Sequence, residues 1–169
     1  MKTSLILAIA IFCFYTQCTG QQNKTWEKWN WLIGEWIGEG SGEPGKGGGT
    51  FSFKTDLNDK ILVRKSHSEY QASGNRPATI HDDLMIVYVD NSSNASNAIY
   101  FDNEGHTIKY SIEYDDKLIV LTSEKVVNTP VFRLTYTLLD DKTVNTKFEM
   151  SQDGIKFMTY IEGKSKKAH

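Results

Sequence analysis

The chain has 169 residues, a formal net charge of −2 and 39% hydrophobic residues, which suits one globular domain. Acids and bases are interleaved, so the basic face that nucleic-acid binding needs is missing. Both cysteines, Cys13 and Cys18, precede Gly20.

The opening, "MKTSLILAIAIFCFYTQCTGQQ", has one early cation (Lys2), an apolar run from Leu5 to about Tyr15, then small and polar residues. That is the layout of a secretory signal peptide, and the run is too short to span a bilayer comfortably. Cleavage is expected after Gly20, giving a leader, 1–20, and a mature domain, 21–169, that is secreted or periplasmic. The alternative is lipidation of Cys18. "FYTQC" argues against it, because Tyr, Thr and Gln stand where lipoprotein signals carry a small residue. Cut after Gly20, the domain has no thiol, hence no disulfide, zinc–thiolate site or cysteine nucleophile.

"NKTWEKWNWL" then predicts a short helix capped by Asn23 or Thr25, with Trp26, Trp29 and Leu32 on one side. From Gly34 the period changes to two. Short β-branched and aromatic runs alternate with turn residues, predicting strands at 34–40, 50–56, 61–70, 82–89, 98–102, 107–114, 117–124, 131–139, 143–151 and 155–163. Ten such strands with tight connections imply an all-β fold: an up-and-down antiparallel meander whose edges are best managed by full closure into a barrel. "GKSKK" at the end reads as a solvated tail. Sequons at Asn23, Asn91 and Asn94 would matter only in a eukaryotic secretory route.

Turns fix three registers. A two-residue turn at Asp115-Asp116 would set Ile112 opposite Ile119 and Tyr110 opposite Leu121. A turn at Asp153-Gly154 would set Met150 opposite Phe157. A three-residue loop, Asp140 to Lys142, pairs Leu138 with Val144, Leu134 with Phe148 and Phe132 with Met150. A two-residue loop there would mix polar with apolar partners.

The glycine-rich stretch "GSGEPGK", Gly40 to Lys46, formally matches both G-x-x-x-x-G-K and G-x-G-x-x-G. Either motif works only where a helix N-terminus follows to aim N–H groups at phosphate. Here "GGGTFSFKT" follows, which is a strand, so a hairpin loop is the better reading. Gly34, Gly38 and Gly40 then belong to the first strand, where a bend and the close approach of another segment explain them. Trp36 becomes a large plug at the closed end.

A G-x-W-x-G-x-G first strand heading a ten-strand meander resembles the calycin superfamily, which includes lipocalins, fatty-acid-binding proteins and haem-binding nitrobindins. "WLIGEWIGEGSG", "HDDLMIVY", "YFDNEGHTIKY", "FRLTY" and "YIEG" together look like a bacterial lipocalin-like family of unknown function, over roughly Trp31 to Lys164. The resemblance implies a barrel with an internal cavity for something small and largely apolar, and no agreed activity. Nitrobindin-like barrels hold haem iron through a histidine late in the barrel. The corresponding "GIKFMTYIEG" has none, so that ligand does not carry over.

Three histidines, His67, His81 and His106, lie in or beside strands and could in principle converge on zinc or iron. No pair has the i, i+2 spacing that shares one strand face, and hydrogen bonds at loops and strand ends account for them more simply. "DNEGHT" is a hairpin turn, too short for a calcium loop. Arg133 should lie opposite Glu149, with Thr135 and Lys147 on the same face. That face is either a solvated ion-pair ladder or, if inward, an anchor for a ligand carboxylate. The apolar set on the opposite face favours the outward reading. Catalysis has little support: G-x-S-x-G and H-E-x-x-H are missing, and Glu124, Glu149 and Glu162 could be placed as acids but without a partner of shifted pKa in a defined cleft.

The sequence therefore predicts an exported, monomeric or dimeric barrel that binds a small apolar or amphipathic molecule. It implies no cofactor, no catalysis, no nucleic acid and no transmembrane segment. The expected lining is Trp36, Phe51, Phe53, Tyr110, Leu134, Tyr136, Phe148, Phe157 and Ile161, with His67, His81, His106 and Arg133 as a possible polar site. The alternatives are a histidine-dependent haem or metal protein or enzyme at the mouth, and a filled barrel whose loops bind a protein partner.

Overall fold

The computed structural model describes residues 24–40, 48–72, 74–75, 77–90 and 95–168. The expected leader, 1–20, Cys18, the three sequon asparagines and most of "GSGEPGK" lie outside these residues. Ten strands follow in order: β1 (Gly34–Gly38), β2 (Thr50–Asp56), β3 (Ile61–Tyr70), β4 (Thr79–Tyr88), β5 (Asn97–Asp102), β6 (Thr107–Asp115), β7 (Leu118–Ser123), β8 (Val131–Asp140), β9 (Thr143–Ser151) and β10 (Met158–Lys167). Each pairs antiparallel with its sequence neighbours, and β1 pairs with β10, so the sheet closes into a barrel. The predicted all-β, up-and-down closed architecture is the one observed.

Closure needs the chain end. Trp36 pairs with Lys167 and Gly38 with Ser165, so Gly163 to Lys167 is barrel wall, not a solvated tail. The alternation explains the difference. Ser165 is buried and Lys167 lays its ammonium over the Trp36 ring, 5.3 Å from the centroid, which keeps the charge at an aromatic face rather than in apolar packing. At the other seam, the approach of β1 to β2 demands glycine. A Cβ on Gly38 would lie 3.1 Å from the Gly48 backbone. Gly49 has φ +81°, and a Cβ there would run into the His67 carbonyl. Gly40 lies beyond the end of β1.

Two registers differ from expectation. The β6–β7 turn is Asp116-Lys117, pairing Tyr114 with Ile119 and Ile112 with Leu121. The slip is two residues, which keeps both apolar sets on the inner face, so the alternation cannot distinguish the two. The Asp115 carboxylate accepts the Asp116 N–H at 2.7 Å, which favours the observed turn. Between β9 and β10 the hairpin is wider. Met150 pairs with Met158, and a bulge at Tyr160 brings Ile161 opposite Phe148. Asp153 Oδ1 accepts from the Ile155 and Lys156 N–H groups and from Ser151, a cluster that holds its pKa down near 2. The β8–β9 pairs are as expected, but the loop is shorter: Asp140 pairs with Thr143, leaving a two-residue turn, Asp141-Lys142, and a bulge at Leu139 takes up the third residue.

The N-terminal element is a 3₁₀ helix, Lys24–Trp29, rather than an α-helix. Its three-residue period eclipses i and i+3, which is why Trp26 and Trp29 turn inward together, and Leu32 in the turn that follows is buried with them. They cap one end of the barrel. Trp29 Nε1 donates to Tyr114 Oη at 2.9 Å, Trp26 Nε1 to the Asp59 carbonyl at 3.0 Å, and Trp36 Nε1 to the Leu32 carbonyl at 2.8 Å. Above them Trp29, Phe53, Phe51, Trp36 and Tyr136 form a continuous ring cluster with centroids 5.5–6.1 Å apart. Trp29 is fully buried within it. Replacing Trp29 with alanine should lower unfolding free energy by about 3–5 kcal/mol. Trp29→Phe, which keeps a ring but loses the bond to Tyr114, should cost about 1–2 kcal/mol by the same urea titration.

Candidate functional site

The half of the barrel above this aromatic floor is not filled by side chains. It encloses a cavity of about 1550 Å³ that opens at the end opposite the 3₁₀ helix. Ligand pockets are usually about 300–1,000 Å³, so a lipid-sized molecule fits. Strand alternation makes its two walls chemically different. On one side Phe132, Leu134, Phe148, Met150 and Ile161 of β8–β10 give an apolar wall, with Phe132 and Phe148 stacked at 5.7 Å. Facing it, inward positions of β3–β5 carry Arg64, Ser66, Ser68, His81, Asp83, Tyr100 and Asp102.

The polar wall is one connected network. Arg64 and Asp83 are diagonal neighbours on β3 and β4 and form an ion pair through Nη1 and Oδ1. Arg64 also lies over the Phe51 ring at 5.6 Å. Burial works against the charge on Arg64, but the Asp83 carboxylate outweighs it and raises the guanidinium's pKa. His81 Nε2 sits 3.8 Å from the other Asp83 oxygen and 3.0 Å from Tyr100 Oη, while its Nδ1 meets Glu104 at 3.2 Å. Tyr100 Oη donates to Asp102 at 3.3 Å, and His106 Nδ1 lies 2.8 Å from the same carboxylate oxygen. Burial pushes the Asp102 carboxyl up, but donation from the His106 N–H and ring and from the Glu104 N–H brings it below its ordinary value. Gly105, at φ +92°, makes the tight "DNEGHT" turn that points His106 back at Asp102.

Burial raises four of the inward tyrosines. Tyr100 and Tyr110 are pushed well above the ordinary phenol, and Tyr114 and Tyr136 up to about 12. Around Tyr100 the carboxylates of Asp83 and Asp102 add to the effect of burial.

The expected site residues separate into four groups. Phe51, Tyr110, Leu134, Phe148 and Ile161 line the cavity. Trp36, Phe53 and Tyr136 face inward but pack into the floor. His81 and His106 meet at Glu104 and Asp102 on the mouth side of the polar wall. Phe157, His67 and Arg133 are outside. Phe157 lies in the β9–β10 connection under the Arg133 guanidinium, 3.9 Å from it, and Arg133 Nε donates to Glu149 at 2.8 Å on the outer face. His67 stands between Asp82, at 2.6 Å, and Glu69, at 3.2 Å; both bonds raise its pKa. Among the described residues, no three His, Cys, Asp or Glu side chains are arranged to hold a metal ion. Among them, too, no helix is long and apolar enough to cross a membrane.

Arg64 and Asp83 escape a motif search, but strand parity marks them. Arg64 shares its face with Leu62, and Asp83 shares its face with Met85 and Val87. The fold defined by these strands is a closed ten-stranded antiparallel β-barrel with an internal cavity, an architecture consistent with the lipocalin-like barrels. The chain matches no protein-family model and no curated protein.

Two measurements test the site. Removing one partner of the buried pair, as in Arg64→Met or Asp83→Ala, should destabilise by about 3–5 kcal/mol, because the other charge is left uncompensated. The double variant Arg64→Met/Asp83→Leu should recover much of that loss. The tyrosines set the alkaline limit. Tyr136 holds its proton more tightly folded (about 12) than at its ordinary value of 10.0, so its contribution is complete below pH 10.0 and disappears as pH rises through about 12. Phenolate absorbance should therefore rise in two stages, the second coinciding with unfolding. A single early titration of all tyrosines would contradict this burial.

Proposed function

We propose that this chain is an exported lipocalin-like barrel that binds a small amphipathic molecule, its apolar body against β8–β10 and its polar end at the Arg64–Asp83–Tyr100–His81 network. The observation that carries this reading is the two-walled cavity. A barrel serving only as a scaffold gains stability by filling its interior, because voids forfeit dispersion and apolar burial. Here the floor is tightly packed with aromatics while the upper half stays open and is polarised from side to side. Convergent polar groups in a mostly apolar concavity are what small-molecule sites present. Export rests on the composition of the first twenty or so residues, and the lipocalin-like kinship on the first-strand and "FRLTY" motifs together with the closed meander.

The test is native mass spectrometry on the chain purified from its exporting host, followed by organic extraction. A stoichiometric small molecule and an N-terminus at residue 21 are expected. Ile161→Lys, which puts a cation on the apolar wall, should cut occupancy by about tenfold or more. Arg133→Ala, on the outer face, should leave it unchanged. Protein that emerges bare and takes up no apolar probe would sink this reading.

A further inference from the structure

We propose that the polar end of the cavity selects a neutral oxygen acceptor, such as a carbonyl, ester, amide or hydroxyl on an otherwise apolar molecule, over a carboxylate or an amine. This rests on the amphipathic-ligand reading above and names the head group it takes.

Hydrogen-bonding capacity points one way. Arg64 is 7% exposed and lines the cavity, yet its Nε–H has no partner among the described residues. Thr146 Oγ1, which lines the same cavity, is also buried without a partner among the described residues. Its cross-strand neighbour on β8, Tyr136, belongs to the floor and turns its hydroxyl to Arg64, whose charge and hydrogen bond lower the phenol pKa against the effect of burial. The deep end therefore offers N–H and O–H donors that need an acceptor. The carboxylates are already engaged. Asp83 holds Arg64 and faces His81. Asp102 accepts the N–H groups of Glu104 and His106 at 3.0 and 2.9 Å, the His106 ring at 2.8 Å and Tyr100 Oη at 3.3 Å. An amine would compete for acceptors in use, whereas an oxygen acceptor meets donors that are not.

Charge decides against the carboxylate. The Asp83 and Asp102 side chains are 6% and 4% exposed, two buried carboxylates against one buried guanidinium. Arg64 is already neutralised by Asp83. A ligand carboxylate would add a further negative charge where low dielectric strengthens repulsion, and it would lose its hydration on entry. A neutral acceptor meets neither cost.

The test is a series of alkyl compounds of one chain length differing only in head group: alcohol, methyl ester, primary amide, carboxylate and amine. Binding is read by isothermal titration calorimetry at neutral pH on the delipidated protein. The uncharged members should bind at least about tenfold more tightly than the carboxylate and the amine. Asp83→Asn keeps the side chain's shape but uncovers Arg64, so it should shift the carboxylate-to-alcohol affinity ratio toward the carboxylate by about tenfold or more. A carboxylate or amine that binds wild-type protein as tightly as the alcohol overturns the head-group inference and leaves the amphipathic-ligand reading standing. An unchanged ratio in folded Asp83→Asn protein overturns it as well. Should that variant fail to fold, the wild-type series decides alone. If no member binds, both readings fall.

Discussion

Closure of the sheet is the constraint on which the rest depends. Once β1 pairs with β10, no strand is an edge, and each residue is committed to one face by parity alone. That commitment reaches the ends of the described chain. Lys167 pairs with Trp36, and Ala168 donates its N–H to the Glu35 carbonyl, so charged residues that composition would assign to solvent become structural. The glycines at the β1–β2 seam follow from the same closure. Two backbones approach so closely there that a Cβ at residue 38 would crowd the Gly48 backbone at 3.1 Å.

Parity also explains what could be read in advance. Ten strands, their antiparallel order, closure and the β8–β9 register are all encoded in alternation and turn residues, because a one-residue error would bury lysines and expose phenylalanines. A two-residue error does neither. That is why the β6–β7 turn falls one step later than the turn residues suggest, and why only local bonds to Asp115 select it. The 3₁₀ helix is a similar case. Trp26, Trp29 and Leu32 at intervals of three are compatible with a loose α-helix, but exact eclipsing and only six residues favour the tighter form.

The site was less legible than the fold, for a physical reason. Alternation tells which face a side chain takes, not how deep along the barrel it sits. Trp36, Phe53 and Tyr136 share the inward face with Phe51 and Leu134, yet the first three are floor and the last two line space. Depth depends on the stagger of the strands and on the tryptophans of the 3₁₀ helix, which fill one end. The arginines show the same limit from the other direction. Arg133 draws notice because Glu149 stands opposite, and the outward parity of that row leaves the pair outside the cavity. Arg64 sits in "ILVRKSHSEY" without an obvious partner, because Asp83 is nineteen residues away and becomes its neighbour only when β3 meets β4.

A buried ion pair seldom adds stability over well-packed apolar side chains of similar volume, since the attraction must offset the loss of hydration by both ions. Arg64 and Asp83 lie beside Phe51 and Met85, where an apolar pair would fit the surroundings at least as well. Their placement therefore supports the proposed recognition role over a purely structural one. By joining the guanidinium to a carboxylate through Nη1, the barrel removes its net charge yet leaves the Nε–H without a partner among the described residues. It thereby holds a strong donor without a strong field. Tyr100, held between Asp102 and His81, extends the same polar wall toward the mouth. A wall of this kind discriminates by the number and sense of hydrogen bonds a guest can complete, while the opposite wall contributes affinity in proportion to the apolar surface it covers. The stability lost in leaving half the barrel open is offset by the aromatic floor, where Trp29, Trp36 and Phe53 are fully buried. On the proposed reading, folding and recognition occupy separate halves of one sheet.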